Sequence, residues 1–583
     1  MERKAYLINY SFRYYMIAAI MSMAAMNLSS IINGILMGNL LGADAFSSIN
    51  AAMPMVSCIS AIGALLAQGP ANRIAQYLGA MENGRANQVF TVSFVSMLIV
   101  CLTLSVIAAT TNLAGYVVSL LPVAEGLLAM VNEYAGVLVA GCFLLIFQNG
   151  LSLLVDVMGK PKVVTIGMVS GMVTNIIFAV TAVKVLGMDI AGAAYATLLG
   201  AFVCDVVLLC YIFKYSGMKL CRCKTWLADF ATGVAFSLPG LVGTISVIVL
   251  MLLCNSYITD NQGADGMFVM SIGYSIISVG SMISNGVGMS YTAIGGMMLG
   301  QGDYRGMRLL FGRGMLVVLL APVCFNLMGL FSHDLATLFG ANTPELIELT
   351  GRGLPMICIF LFALGILSSM TFLHVALGHR VVSTINSLMI LVTIAVSFYV
   401  LDRTLPPEQI WLAFPMATAL SLLIFFADTT AVSMRSKGKV QLVSLIPKDD
   451  PERKMLDVSV ECNMNAEADA FDALKKFLQE NGVGDLEERI VHCLDELMMN
   501  IVRHSGCSNG SYMDLSVMLR EKEVTAYLRD EGRPFDPLQV KEGDRKIGMK
   551  LLFHYCSRLE YRYSFGQNIV LVSWDRTEKA DAA

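Results

Sequence analysis

Leu41-Gly42-Ala43-Asp44 and, far downstream, Gly263-Ala264-Asp265 are two copies of one motif. The first is followed by a hydrophobic run and then Leu78-Gly79-Ala80, with Gly84-Arg85 and Phe90 beyond. The second is followed by another hydrophobic run and then Leu299-Gly300-Gln301, with Asp303, Arg305 and Phe311. The step from Gly42 to Gly263 equals the step from Gly79 to Gly300, and random apolar sequence seldom keeps register over such a distance. An internal duplication inside a membrane protein points to two homologous bundles with a site between them.

Composition agrees with a membrane protein. Hydrophobic residues make up 56% of the chain and charged residues only 14%, against about 25% charged in a soluble domain. Mean hydropathy is +0.66. Charge is sparse up to about Met434 and dense from Arg435 onward, the signature of a membrane part followed by a soluble part.

Twelve apolar runs approach the roughly 20 residues that cross a bilayer. They fall at 14–38, 48–68, 89–112, 134–157, 163–183 and 191–214, then at 232–257, 267–289, 309–331, 353–377, 381–400 and 410–432. The first is too long for the core of a cleavable signal. Arg3, Lys4, Arg13, Arg73, Arg85, Lys160, Lys162, Lys219, Arg305 and Arg435 all fall on one side of a twelve-span arrangement. The other side holds Lys184, Arg352 and Arg403 beside acids such as Asp44, Glu125 and Asp265. Basic loops stay cytoplasmic, so both termini are expected inside a plasma-membrane protein. The expected domains are a six-helix lobe at 1–215, a second at 216–436, a linker at 437–454 and a cytoplasmic domain at 455–583.

The fourteen cysteines lie mostly in the spans or the cytoplasmic part, where thiols stay reduced. Cys221-Arg222-Cys223 is too tightly spaced for a zinc knuckle and has no second pair. A net charge of −4 carries no nucleic-acid signal.

The run Asn33-Gly34-Ile35-Leu36-Met37-Gly38 followed by Leu41-Gly42-Ala43-Asp44-Ala45 resembles the end of the first helix in multidrug and toxic compound extrusion (MATE) transporters. Leu78-Gly79-Ala80 with Gly84-Arg85 and its counterpart Leu299-Gly300-Gln301-Gly302-Asp303 resemble that family too. So does Asp156-Val157-Met158-Gly159-Lys160-Pro161, whose partner in the second half is His374 to Gly378. The resemblance covers residues 10–435. It implies two six-helix lobes around a cavity open alternately to either side, with export of small molecules coupled to H⁺ or Na⁺. Many bacterial members carry an aspartate where this chain has Asn33, which cannot titrate.

Buried acids in a bilayer are costly and mark functional sites. Asp205, in Phe202-Val203-Cys204-Asp205-Val206 near the middle of the sixth span, is therefore the candidate ion carrier, the alternative being a carboxylate tied to Ser, Thr or Asn on a neighbouring helix. Asp156 and Asp428 sit near cytoplasmic helix ends, where solvent or basic loops can reach them. Polar amides in spans face interiors or water-filled paths. Asn33, Asn175 and Gln148 are the candidate cavity residues, with Asn27, Gln68, Asn149, Asn255 and Asn285 as further members of the set. The 38 methionines provide either an adaptable lining or membrane filler. Pro54, Pro239, Pro322, Pro355 and Pro415 are candidate bending points.

After Val440 the pattern becomes that of a small α/β domain. Leu456, Val458 and Val460 alternate as in a strand. Helices are predicted at 465–480 and 485–504, strands at about 512–520 and 523–530, a helix at about 547–558, and two strands up to Trp574. In Asp495-Glu496-Leu497-Met498-Met499-Asn500-Ile501-Val502-Arg503-His504, Glu496, Asn500 and His504 share one helix face. That run resembles the N box of the GHKL ATPases, the fold shared by histidine kinases and anti-sigma-factor serine kinases. Leu528-Arg529-Asp530-Glu531-Gly532-Arg533-Pro534-Phe535 resembles the next motif of that fold. Ile547-Gly548-Met549-Lys550-Leu551-Leu552 resembles its glycine motif, although Asp544-Arg545-Lys546 stands where relatives carry more glycine. The resemblance implies ATP and Mg²⁺ as cofactors. Asn500 would hold the magnesium–nucleotide, Glu496 would act as the catalytic group polarising a water or hydroxyl, Asp530 and Gly532 would meet the adenine, and Gly548 the phosphates.

Arg435–Asp457 is too short and contains no histidine for the phosphoacceptor hairpin of a histidine kinase. A serine kinase acting on a separate protein partner needs no such hairpin. One nucleotide fold and no Walker A pattern speak against ATP as the driver of transport. The expected protein is a cation-coupled exporter of small organic or drug-like compounds, embedded in membrane lipid, with an ATP-binding regulatory tail. The alternatives are a lipid-linked precursor flippase, disfavoured by the scarcity of mid-span Arg and Lys, and a signalling protein whose tail phosphorylates or sequesters a regulator.

Overall fold

A bilayer offers no partner to backbone amides and carbonyls, so long apolar runs fold as helices that satisfy themselves. In the computed structural model of the chain, residues 3–119, 127–329, 331–339, 343–448, 454–504, 510–539 and 547–576 are described. Two compact units form. One comprises Met16–Gly302 and Phe311–Pro447, the other Met1–Tyr15, Asp303–Leu310 and Lys448–Ala583.

In the larger unit, ten helices among the described residues are long and apolar enough to cross a membrane. Leu128–Ala140 and Cys142–Val157, bent by 58° at their junction, make an eleventh if counted as one span. The sequence predicts twelve. The first expected run coincides with the helix Tyr6–Leu41, which is not among the ten.

The repeat is visible in the backbone. Gly42 (φ 98°) and Gly263 (φ 61°) each take a left-handed conformation between two helices; residues with a Cβ seldom adopt it. Each is followed by Ala-Asp. Gly79 and Gly300 meet reciprocally: a Cβ on Gly79 would lie 2.1 Å from the Met297 carbonyl oxygen, and one on Gly300 would lie 1.9 Å from that of Gln76. The two copies therefore pack backbone against backbone where their second helices end. A buried π-helical turn, Tyr291–Gly295, interrupts the second of these helices just before that contact. Such turns often mark functional points in a helix.

The segment after the last span is not a loose tether. Val440 bridges Pro447, and the buried His374 binds the Val443 carbonyl through Nε2 (3.1 Å) while Asn386 Nδ2 donates to its Nδ1 (3.2 Å). That second bond assigns the ring proton to Nε2.

In the smaller unit the strands are β1 (Met455–Glu461), β2 (Tyr512–Leu519), β3 (Glu523–Asp530), β4 (Arg558–Ser564) and β5 (Gln567–Asp575). They form one antiparallel sheet of order β1-β2-β3-β5-β4. Strand alternation sends Val458, Leu515, Ala526, Leu528, Val570 and Trp574 to one face, where they form a core with Leu474, Leu494 and Leu497. Those leucines come from the helices Met464–Glu480 and Leu486–His504.

The third helix, predicted to reach 558, stops at Tyr555. Ser557 already donates its amide to the Ser573 carbonyl (2.8 Å), which draws the chain into the sheet. The opposite sheet face carries Asp457, Ser459, Asp514, Ser516 and Arg529, and the N-terminal segment and Asp303–Leu310 fold against it within the same unit. Nothing in the sequence pattern predicts that grouping.

Candidate functional sites

Within the membrane helices, Asn33 and Asn175 converge on one hydroxyl. Asn33 Nδ2 donates to Thr197 Oγ1 at 3.4 Å and Asn175 Nδ2 to the same oxygen at 3.3 Å, while Thr197 itself donates to the Ala193 carbonyl at 3.0 Å. The Tyr134 hydroxyl adjoins the same threonine. Both asparagine carbonyl oxygens are buried, and neither has a hydrogen-bond partner among the described residues. An unpaired buried acceptor costs about 1–3 kcal/mol, so two of them on amides that share one hydroxyl make this a place suited to a proton donor or a cation.

Asp205 lies two helical turns beyond Thr197 on the helix Ile190–Tyr215, about 12 Å along its axis. It is 4% exposed, and neither carboxylate oxygen has a partner among the described residues. The tie to Ser, Thr or Asn that would make it a structural carboxylate is not found there. Gln148 reaches the neighbouring Cys204 and donates to Met168 Sδ at 3.7 Å. The predicted residues thus separate into an amide pair around Thr197 and a second group around Asp205. Asp156, expected within reach of solvent, is buried at 5% exposure because its helix end packs inward. Thr197 and Tyr134 escaped the sequence reading, since a lone hydroxyl in an apolar run carries no periodic signal.

In the second half, Tyr274 donates to Asn255 Oδ1 (2.8 Å) and Ser368 to Asn285 Oδ1 (2.7 Å), so these two amides join helices. A shallow pocket in this half is lined by Ser281, Ser284, Pro322, Phe325 and Leu361 among others.

The soluble domain holds an open pocket enclosing about 480 Å³, adjoining solvent included. Leu497, Asn500, Asp530, Arg533, Phe535 and Asn568 are among its lining residues. The helix Leu486–His504 supplies Asn500, whose Nδ2 donates to Glu496 Oε1 at 3.1 Å one turn back. The end of β3 supplies Asp530, which is 3% exposed. Its Oδ1 accepts from the Gly532 amide (2.7 Å) and from Asn568 Nδ2 (2.8 Å). Burial pushes the Asp530 carboxyl upward from its ordinary range, and these two hydrogen bonds oppose the shift without cancelling it. A pocket-lining carboxylate whose Oδ1 already holds two donors can accept a further hydrogen bond from a ligand through its other oxygen.

Asn500 and Asp530 line this pocket, with Glu496 bonded to the first and the Gly532 amide bonded to the second. Gly548 stands in the first turn of the helix Ile547–Tyr555. Asp544-Arg545-Lys546 and the side chain of His504 lie outside the described residues. Asn568, Arg533 and Phe535 were missed as pocket residues; Asn568 is brought to Asp530 by the β3–β5 pairing, a long-range contact that local sequence does not announce. Among the described residues no cluster of His, Cys, Asp and Glu is arranged to hold a metal by itself.

Known proteins match this architecture. Solved structures similar to the chain include a MATE transporter in complex with MaL6, at 20% identity and TM-score 0.65, covering 73% of this chain and 97% of that one. A MOP superfamily transporter from Pyrococcus furiosus, whose reversed pocket polarity suggested a different function for it, aligns at 20% identity and TM-score 0.66, over 73% of this chain and 96% of its own. An outward-facing multidrug resistance MATE transporter aligns at 20% and 0.65 over the same shares. No curated protein matches by sequence. The MatE family profile matches twice, over residues 18–181 and 239–400, once in each copy of the repeat. Two profile matches on two halves of one helical fold leave a single assignment: the chain belongs to the MatE family of transporters.

Proposed function

We propose that this transporter is a cation-coupled antiporter, driven by H⁺ or Na⁺, that exports small organic or drug-like compounds across the plasma membrane. Adding the bent pair and the helix Tyr6–Leu41 to the ten unbroken spans gives twelve, six per lobe. An even count puts both termini on one side, and the basic loops make that side the cytoplasm. Asp205 carries the coupling reading: a mid-span carboxyl, buried and without a hydrogen-bond partner among the described residues, is costly unless it serves ion movement. Asn33 and Asn175 offer neutral oxygens that can assist without titrating.

The tail is a GHKL ATPase-like regulatory domain in this reading. The observation that carries it is the pocket in which Asn500 and Asp530, taken from two separate sequence motifs, line one cavity. The donor set fits a nucleotide. Asp530 would accept from the adenine amino group, Gly532 would let the backbone approach the base, and Asn500 would hold Mg²⁺ with Glu496 beside it. Gly548 would present amides to the phosphates, as helix N-termini do. Bound ATP would supply a charge and a shape to be sensed.

Efflux of a fluorescent organic cation from vesicles holding the full chain, under an imposed H⁺ or Na⁺ gradient, tests the first half. Gradient-dependent flux that Asp205→Asn abolishes supports it; no flux in the wild type favours a signalling protein instead. Binding of a fluorescent ATP analogue with Mg²⁺ tests the second half. Unchanged binding in both Asn500→Ala and Asp530→Ala would remove the assignment.

A further inference from the structure

Arg529, Asp530 and Glu531 are consecutive, and a strand alternates its faces. Asp530 turns toward the pocket it lines with Asn500. Its two neighbours turn the other way, and each is bound by a segment from the start of a membrane-directed helix. Arg529 Nη2 meets Asp303 Oδ2 at 3.2 Å, and Glu531 Oε1 accepts from the Tyr6 hydroxyl at 2.5 Å. Asp303 immediately precedes the helix Tyr304–Gly329, whose Gly306 amide it caps at 2.7 Å. Tyr6 opens the helix Tyr6–Leu41. Between them sits Arg3, 1% exposed in its side chain, ion-paired to Asp303 (2.6 Å), Asp457 (3.3 Å) and Asp514 (3.3 Å).

This cluster is not the economical way to cover a sheet. Burying three carboxylates and two guanidiniums costs desolvation that an apolar lid would avoid, and such clusters typically contribute register and specificity rather than stability. Their hydrogen bonds also fail over displacements of a few tenths of an ångström. A shift of the Asp530 backbone on ligand binding would pass directly to Arg529 and Glu531, since no spare length of chain lies between them.

We infer that the Arg3–Asp303–Arg529 cluster, with the Tyr6–Glu531 bond, is a coupling latch through which occupancy of the pocket is read by the segments leading into the first and ninth expected spans. This rests on the nucleotide reading of the pocket and adds its regulation. By linkage the effect is reciprocal: transporter states that favour one geometry at Asp303 also change nucleotide affinity.

Hydrogen exchange of the full chain in lipid nanodiscs, with and without MgATP, tests it. Exchange should slow at the pocket backbone (Leu497–Ile501 and Asp530–Phe535) and also change in Lys4–Tyr15 and Asp303–Leu310. In Asp303→Asn the pocket should still be protected while the two segments no longer respond, and MgATP affinity should shift by about 5-fold or more. Arg529→Lys, which keeps the charge but loses the forked donor, serves if the first variant does not fold. Protection at the pocket with both segments unchanged in the wild type overturns the latch alone. No protection at the pocket overturns the nucleotide reading and the latch with it.

Discussion

Asn568 stands opposite Asp530 across the β3–β5 ladder and gives its side-chain amide to Asp530 Oδ1 at 2.8 Å. The same asparagine reaches the Gly532 and Arg533 carbonyls at 3.3 and 3.2 Å, so one side chain sets both the carboxylate and the turn after it. Asn568→Ala would leave these acceptors with a lost partner, at a cost of about 1–3 kcal/mol. A lower melting temperature and about tenfold weaker binding of a fluorescent ATP analogue are expected. Asp530→Ala should bind no analogue at all. Equal affinity in wild type and both variants would show that the pocket does not take nucleotide through this carboxylate.

The ion cluster predicts a pH dependence in the acid range. Burial raises the Asp303 carboxyl, but Arg3 and Arg529 outweigh that cost and hold it at about 2, against an ordinary 3.8. A carboxyl whose pKa is lower in the folded state stabilises the fold above its ordinary value and loses that contribution as pH falls toward the folded one. The loss therefore falls between about pH 4 and pH 2 and amounts to roughly 2 kcal/mol. Melting of the full chain in detergent across this window should be steeper in pH for wild type than for Asp303→Asn. Parallel curves would mean that the pair contributes nothing net.

Much of this was legible in the residues, and the remainder has a physical reason for being hidden. The repeat could be read because Gly42 and Gly263 do a job that only glycine does well, so the chain must keep them in register. The tail strands could be read because Val458, Leu515 and Leu528 obey a period of two. The back of the sheet could not. Its cover comes from residues 3–15 and 303–310, hundreds of positions away from Arg529, and its polar residues look like an ordinary solvated face until Arg3 and Asp303 are seen against them. The amide pair at Asn33 and Asn175 was half legible: the amides stood out in apolar runs, whereas Thr197, which joins them, looks like any helical threonine bonded to its own backbone.

The backbone contact between the two copies of the repeat is open to a sharper comparison. A methyl on Gly79 would sit 2.1 Å from the Met297 carbonyl oxygen, whereas a methyl on Gly84 meets nothing within 4 Å. Gly79→Ala should cost about 1–3 kcal/mol through overpacking against rigid backbone. Gly84→Ala, in the first turn of the helix Asn83–Thr110, should be neutral or stabilising by up to about 1 kcal/mol. Thermal unfolding in detergent separates the two. Equal melting temperatures would mean that the helix ends do not approach as closely as Gly79 and Gly300 require.

Asp205 and the amide pair make separable contributions to coupling, because about 12 Å of helix lies between Thr197 and Asp205. If Asp205 carries the ion, Asp205→Asn removes the gradient dependence of efflux altogether, while Thr197→Val, which deletes the hydroxyl that both asparagines share, leaves gradient dependence intact and changes only its rate. Restoring the aspartate common among bacterial relatives, as Asn33→Asp, adds a second titratable group and should increase the number of ions moved per substrate. The measurement is the reversal potential of efflux in vesicles under paired pH and Na⁺ gradients. Full gradient dependence retained in Asp205→Asn but lost in Thr197→Val would move the ion site to the amide pair and leave Asp205 a packing residue.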